Sequence, residues 1–183
     1  MTFRAFISVD LESYPKLEEF WERLKKSDAP LKLVALENIH MTLKFLGDTD
    51  ESLVDDIEKL MITSIQNIEP FDVKIKGTGA FPNLNYMKVV WVGLEGVDPL
   101  ISISRTLDRE LGKLGFKREK RGFRPHVTVA RVKGPKNKNI LAGIISEYEN
   151  VSFGVKKVDG IRLKKSVLSR EGPTYSTVKD VRF

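Results

Sequence analysis

The chain has 183 residues, 41% of them hydrophobic and 31% charged, and 31 Lys and Arg against 25 Asp and Glu give a formal net charge of +6. That length and apolar content suffice for the core of one domain or two small lobes, which excludes a disordered or low-complexity chain. With no Cys and only two His, a disulfide framework, a thiol nucleophile, a thiolate metal site and a histidine-rich metal cage are excluded as well.

The opening MTFRAFISVD lacks a basic region followed by an apolar stretch, and the run from Val89 to Leu94 falls far short of the ~18 apolar residues of a membrane span. A cytoplasmic monomer without a membrane partner is expected. Phe3, Ala5, Ile7 and Val9 recur at period two, which predicts a first strand. Leu17, Phe20, Trp21 and Leu24 fall on one helical face, with Ser13 as the expected cap and Pro15 in the first turn. Short apolar runs follow at 31–36 and 40–45. Leu53, Ile57, Leu60, Met61, Ile65 and Ile68 then mark a second helix behind Asp50, closed by Pro70.

Strands are expected at 71–75 and 87–93, and a third helix carries Leu100, Ile103, Leu107, Leu111 and Leu114, with Gly115 as its stop. Gly77-Thr78-Gly79 lacks the third glycine and the following helix of a dinucleotide-binding turn, and reads as a bulge or bend at a strand end. No nucleotide cofactor is assigned. A strand at 126–132, a short helix with Leu141, Ile144, Ile145 and Tyr148, and strands within 151–183 complete the chain. Strands outnumber helices without strict alternation, so the fold class is α+β with mixed or antiparallel sheets, and no Pro- or Ser-rich linker divides residues 1–183.

Both histidines open the same pattern, His40-Met41-Thr42-Leu43 and His126-Val127-Thr128-Val129, a two-copy repeat 86 residues apart. On a strand, residues two apart share a face at a spacing of about 6.5 Å. Met41, Leu43 and Phe45, and Val127 with Val129, are the expected buried rows, leaving His40 with Thr42 and His126 with Thr128 on the accessible face. Each half then supplies one imidazole and one hydroxyl. In-line displacement at phosphorus needs such a set: one imidazole deprotonates the nucleophile, the other protonates the departing oxygen, and two hydroxyls donate to the non-bridging oxygens. A metal site would need carboxylates that accompany neither histidine, and no metal is expected.

Between Lys113 and Lys138 lie ten basic residues, Arg121 among them, against the single acid Glu119. This segment brackets His126, so an anion is expected beside it, and the interleaved Phe116 and Phe123 are what a surface pairing phosphates with a stacked base requires. Phe123 is the expected stacking ring.

NIHMTLKFLGD and RPHVTVARV resemble the two HxTx signatures of the two-histidine (2H) phosphoesterase superfamily. The chain most resembles the archaeal and bacterial RNA 2′,3′-cyclic phosphodiesterases, also called 2′-5′ RNA ligases, through FRAFISVDL, AFPNLNYMKVVWVGL and RLKKSVLSREGPTYSTVKDVRF as well. The resemblance implies a bilobal α+β fold with a pseudo-twofold axis and a central cleft. It also implies metal-independent, cofactor-free hydrolysis of a 2′,3′-cyclic phosphate, on an RNA end or a cyclic nucleotide, to a 2′-phosphomonoester. His40 is implied as acid to the 3′ oxygen and His126 as base to water, with Thr42, Thr128 and Arg131 on phosphate-binding positions. Simple alternation sets Arg131 on the face away from His126, so a bulge or the strand's end must turn it inward. ATP-independent 2′-5′ ligation and a nucleotide- or RNA-binding module with little turnover are the alternatives.

Overall fold

A computed structural model describes residues 1–120, 122–170 and 172–183. Its strands are β1 (Thr2–Asp10), β2 (Leu31–Leu33), β3 (His40–Asp50), β4 (Phe71–Asn83), β5 (Tyr86–Glu95), β6 (His126–Val132), β7 (Ser152–Val158), β8 (Gly160–Leu168) and β9 (Pro173–Arg182). The α-helices among the described residues are α1 (Pro15–Lys25), α2 (Val54–Ile65), α3 (Asp98–Lys113) and α4 (Lys138–Glu147). None is long and apolar enough to cross a membrane.

The strands form one sheet in the order β7-β4-β5-β6-β3-β1-β8-β9, with β2 added beside β6. Every pairing is antiparallel. Two four-stranded halves, β3-β1-β8-β9 and β6-β5-β4-β7, meet where β3 and β6 pair through Met41 and Val127. The fold is therefore the bilobal, pseudo-twofold α+β architecture that the resemblance implied.

All four helices cover one side of this sheet's core. Leu17, Phe20 and Leu24 of α1 are buried, and Phe20 packs on Tyr148 and Phe153 at 4.9 and 5.9 Å between ring centroids. Each such side chain contributes about 1.5–3 kcal/mol by leaving water. The helices do not simply stay with their own strands. α1 follows β1 yet packs on β7 and α4, and α3 follows β5 yet packs on β3 and α2. Each half thus lends a helix to the other.

Several expectations change in detail. Ser13 does not cap α1: the N-cap is Tyr14, and the Ser13 hydroxyl bonds the Glu18 carboxylate instead. Asp50 does cap, accepting from the Ser52 N–H at 2.9 Å, but the turn it opens is a 3₁₀ turn over Glu51–Leu53 ahead of α2, and Ile68 lies beyond that helix. Gly77-Thr78-Gly79 is a bulge inside the long β4, not at its end, and Gly77 takes a φ of 76° that a side chain rarely adopts.

Candidate active site

β3 and β6 lie side by side because both carry an apolar row that must be buried. Met41 is 1% exposed and Val127 0%, and these two residues are the ones that pair. Their neighbours on each strand therefore project from the opposite face. In the antiparallel register His40 lies across from Thr128, and Thr42 across from His126. The two imidazoles and two hydroxyls, far apart in the chain, form one alternating quartet over the seam between the halves.

The rings are oriented alike. His40 Nδ1 lies 2.7 Å from the Asn38 carbonyl oxygen, and His126 Nδ1 lies 2.7 Å from that of Arg124. A carbonyl only accepts, so Nδ1 carries the proton in each neutral ring and Nε2 is left for proton transfer. Aromatic neighbours hold both rings. Phe6 lies 4.8 Å from His40 and Tyr175 meets it edge-on at 5.4 Å, while Phe81 meets His126 edge-on at 5.0 Å and is backed by Trp91. Burial under these rings holds the His40 pKa below its ordinary 6.5, reinforced by Lys164 and opposed by the Asn38 carbonyl and the Asp10 carboxylate.

After each threonine the strand takes one extra residue. Ser8 pairs with Thr42 but Ile7 with Lys44, and Trp91 pairs with Thr128 but Val90 with Ala130. Leu43 and Val129 are left unpaired, and each bulge reverses the alternation beyond it. Two expectations turn on this. Arg131 is exposed and on the face of His126 and Thr128, so a bulge does turn it inward. Phe45, expected in the core, is 64% exposed on the same face as His40, and Lys44 is buried in its place.

Buried Lys44 is satisfied by Asp108 of α3 at 2.5 Å and by the Lys117 carbonyl at 2.7 Å. Asp108 also accepts from the Glu119 N–H at 2.8 Å and from Arg118 Nε at 3.2 Å. Burial alone would raise the Asp108 pKa, but these partners outweigh it and hold the carboxyl below its usual range. The cluster ties the loop that leads into His126 to both α3 and β3.

Phe123 lies in that loop, partly buried against the core. Arg121 lies outside the described residues. Sequence periodicity did not reveal Phe6, Phe81, Trp91 and Tyr175 as neighbours of the two imidazoles, because only the sheet order brings β1, β4, β5 and β9 close to the histidine strands. Phe45 was missed for a different reason: a single inserted residue leaves no trace in a period-two pattern.

The 2′-5′ RNA ligase superfamily model matches residues 13–166 of this chain. The chain belongs to the 2′-5′ RNA ligase superfamily. It is 41% identical over 185 residues to the protein named RNA 2′,3′-cyclic phosphodiesterase of Methanothermobacter thermautotrophicus, covering 100% of both. It is 38% identical over 179 residues to the protein of the same name from Methanocaldococcus jannaschii, covering 97% of this chain and 99% of that one. Among solved structures, TT0787 of Thermus thermophilus matches this superfamily member with a TM-score of 0.76 at 25% identity, over 98% of this chain and 97% of that one. Escherichia coli LigT crystallised with 3′-AMP shares the fold with a TM-score of 0.74 at 21% identity, over 100% of this chain and 99% of that one.

Proposed function

We propose that this chain hydrolyses 2′,3′-cyclic phosphate ends of RNA to 2′-phosphomonoesters without a metal ion. The observation that carries this reading is the quartet across the seam: two imidazoles with their Nδ1 atoms engaged by backbone carbonyls, each opposite the other strand's threonine. Membership of the superfamily and the names of the relatives support the same activity.

In this mechanism His126 Nε2 takes a proton from water as the water oxygen bonds to phosphorus. The bond from phosphorus to O3′ breaks, and His40 gives its proton to the departing O3′. Thr42, Thr128 and Arg131 donate to the non-bridging oxygens, whose charge the transition state spreads. The anionic phosphate favours the imidazolium form of His40, opposing the burial that keeps this ring neutral in the free protein. For the base, the exposed Phe45 ring joins Phe123 as a stacking group. The same displacement with a ribose 5′-hydroxyl in place of water is 2′-5′ ligation, the activity in the superfamily's description.

The test is incubation of the protein and a cyclic-phosphate-ended oligonucleotide in EDTA. The product should be a 2′-phosphate end, and His40→Ala or His126→Ala should each lower kcat/KM by about 10²–10⁴-fold. Turnover that requires an added divalent metal overturns the mechanism. A substrate with sulfur at the 3′ bridging position separates the roles, because a thiolate leaves without protonation. His40→Ala should be largely rescued on it and His126→Ala should not; the opposite pattern exchanges acid and base.

A further inference from the structure

The sequence shows one basic segment around His126, but β6 divides it: the loop residues precede the strand, and Arg131 and Lys133 lie at its far end. The site face at that far end carries a row of cations. Lys32 of β2 pairs in register with Arg131, which places both on one face, and Lys133 follows two residues on. On the other flank of β6, Val89 pairs with Arg131, and Lys88 and Tyr86 precede it. Tyr86 and Lys88 flank the buried Met87 and so project away from the core, with Lys88 Nζ 5.2 Å from the centre of the Tyr86 ring.

Among the described residues, Lys32, Lys88, Arg131 and Lys133 form no ion pair with a carboxylate, and all four are exposed. Tyr86 is 61% exposed beside Lys88. On the same face of the other half the cations around Asp10 are already paired, while Arg4 at the far end of β1 is exposed and forms no ion pair among the described residues. Arg162 and Lys164 both reach Asp10, at 2.7 and 2.8 Å, and Arg182 reaches Asp180 and Asp159, at 2.9 and 2.8 Å. A polyanion entering the site therefore meets four open cations at the Arg131 end, whereas those around Asp10 are already neutralised.

We propose that the RNA body 5′ of the reacting nucleotide runs from the quartet past Arg131 along Lys32, Lys133 and Lys88, with a base stacked on Tyr86. This rests on RNA as the substrate and adds which way the strand leaves the site. Unpaired cations release the counterions of the backbone, and an exposed ring accepts any base face, so the lane is selective for chain length and not for sequence.

The test is binding of a labelled, cyclic-phosphate-ended oligonucleotide at several salt concentrations, beside a 2′,3′-cyclic mononucleotide. Wild-type protein should bind the oligonucleotide more tightly, and the ratio of the two affinities should fall toward one in the double variant Lys32→Glu, Lys133→Glu. The salt slope should fall by about 0.7 for each phosphate that is no longer neutralised. Tyr86→Ala should weaken oligonucleotide binding roughly tenfold. An unchanged ratio in both variants overturns the lane. So does a ratio abolished instead in Lys117→Glu, Lys120→Glu, which would route the strand over the loop. Lane-dependent binding without hydrolysis by the wild-type protein would leave the lane standing and remove the proposed activity, so the two readings fail separately.

Discussion

The two halves of the sheet share a backbone plan and differ in what they hang on it. Moving outward from the seam, one half presents Thr42, Ser8 and Arg162 in one row and Phe45, Phe6 and Lys164 in the next. The other presents Thr128, Trp91 and Gly79, then Arg131, Val89 and Phe81. The histidines, threonines and bulges correspond, but aromatic and cationic positions are exchanged: the ring stands next to the seam in the first half and the cation in the second. Gly79 shows how specific the second arrangement is, since a Cβ there would lie 2.2 Å from the Trp91 indole that backs Phe81. In the proposed mechanism, the repeated part serves the reaction common to both sides of the phosphorus atom. The part that differs would, in the same mechanism, distinguish the two sides of the substrate.

Changes that break this correspondence should differ in size. The largest expected effect is on stability, where the halves carry Lys44 and Ala130 at equivalent bulge positions. Lys44→Ala takes away the buried cation of Asp108 and leaves it the exposed Arg118 and the Glu119 N–H, so a loss of about 3 kcal/mol, the low end for a broken buried pair, is expected in denaturant unfolding. Restoring most of it with the double variant Lys44→Met, Asp108→Leu would show that the pair positions the loop more than it stabilises the fold. A loss under about 1 kcal/mol in Lys44→Ala would mean that the cluster is not held together by this charge.

Next in size is the hydroxyl pair. Thr42→Ala and Thr128→Ala should each cost about 1–3 kcal/mol in kcat/KM, as one donor to a charged oxygen is lost. Comparable losses would show that the halves grip the phosphate alike, and an undiminished rate in both would remove the hydroxyls from the mechanism. The rings come after these. Phe45→Ala and Phe123→Ala each test for a stacked base, worth about 1–3 kcal/mol, by comparing a cyclic nucleotide with a cyclic phosphate on an abasic ribose. The variant that erases the preference for the base identifies the platform.

The smallest effect is a titration. His40 is neutral to a lower pH than an ordinary imidazole because it is enclosed by Phe6 and Tyr175. Its NMR midpoint in the free protein should fall below 6.5 and rise when inorganic phosphate is added. A folded-state pKa below the unfolded one means that the ring's contribution to stability is full above the unfolded value and is lost as pH falls through the lowered one. A midpoint at or above 6.5 would show that the ring is more open than the structure has it.

Much of this molecule is legible in one dimension. Helical periodicity locates α1 and α3 because a buried face must recur every three to four residues, and the two HxT patterns locate the imidazoles and hydroxyls of the quartet because residues two apart on a strand must share a face. The direction of Arg131 is legible only as a conflict, since alternation and chemistry disagree there. Phe45 gives no conflict at all: its placement in the core is consistent with every local rule and wrong, because the bulge at Leu43 arises from pairing with β1.

The fold class, the seam strands and the groups on them were thus written in the sequence, since they follow from local periodicity and from side-chain chemistry. Folding had to settle whatever depends on neighbours distant in the chain: the crossing of α1 and α3 between halves, the rings that hold each imidazole, the bulges that expose Phe45 and Arg131, and which cations are already neutralised by carboxylates. A lysine's charge can be read from one residue, but whether it has a partner is a property of the folded sheet.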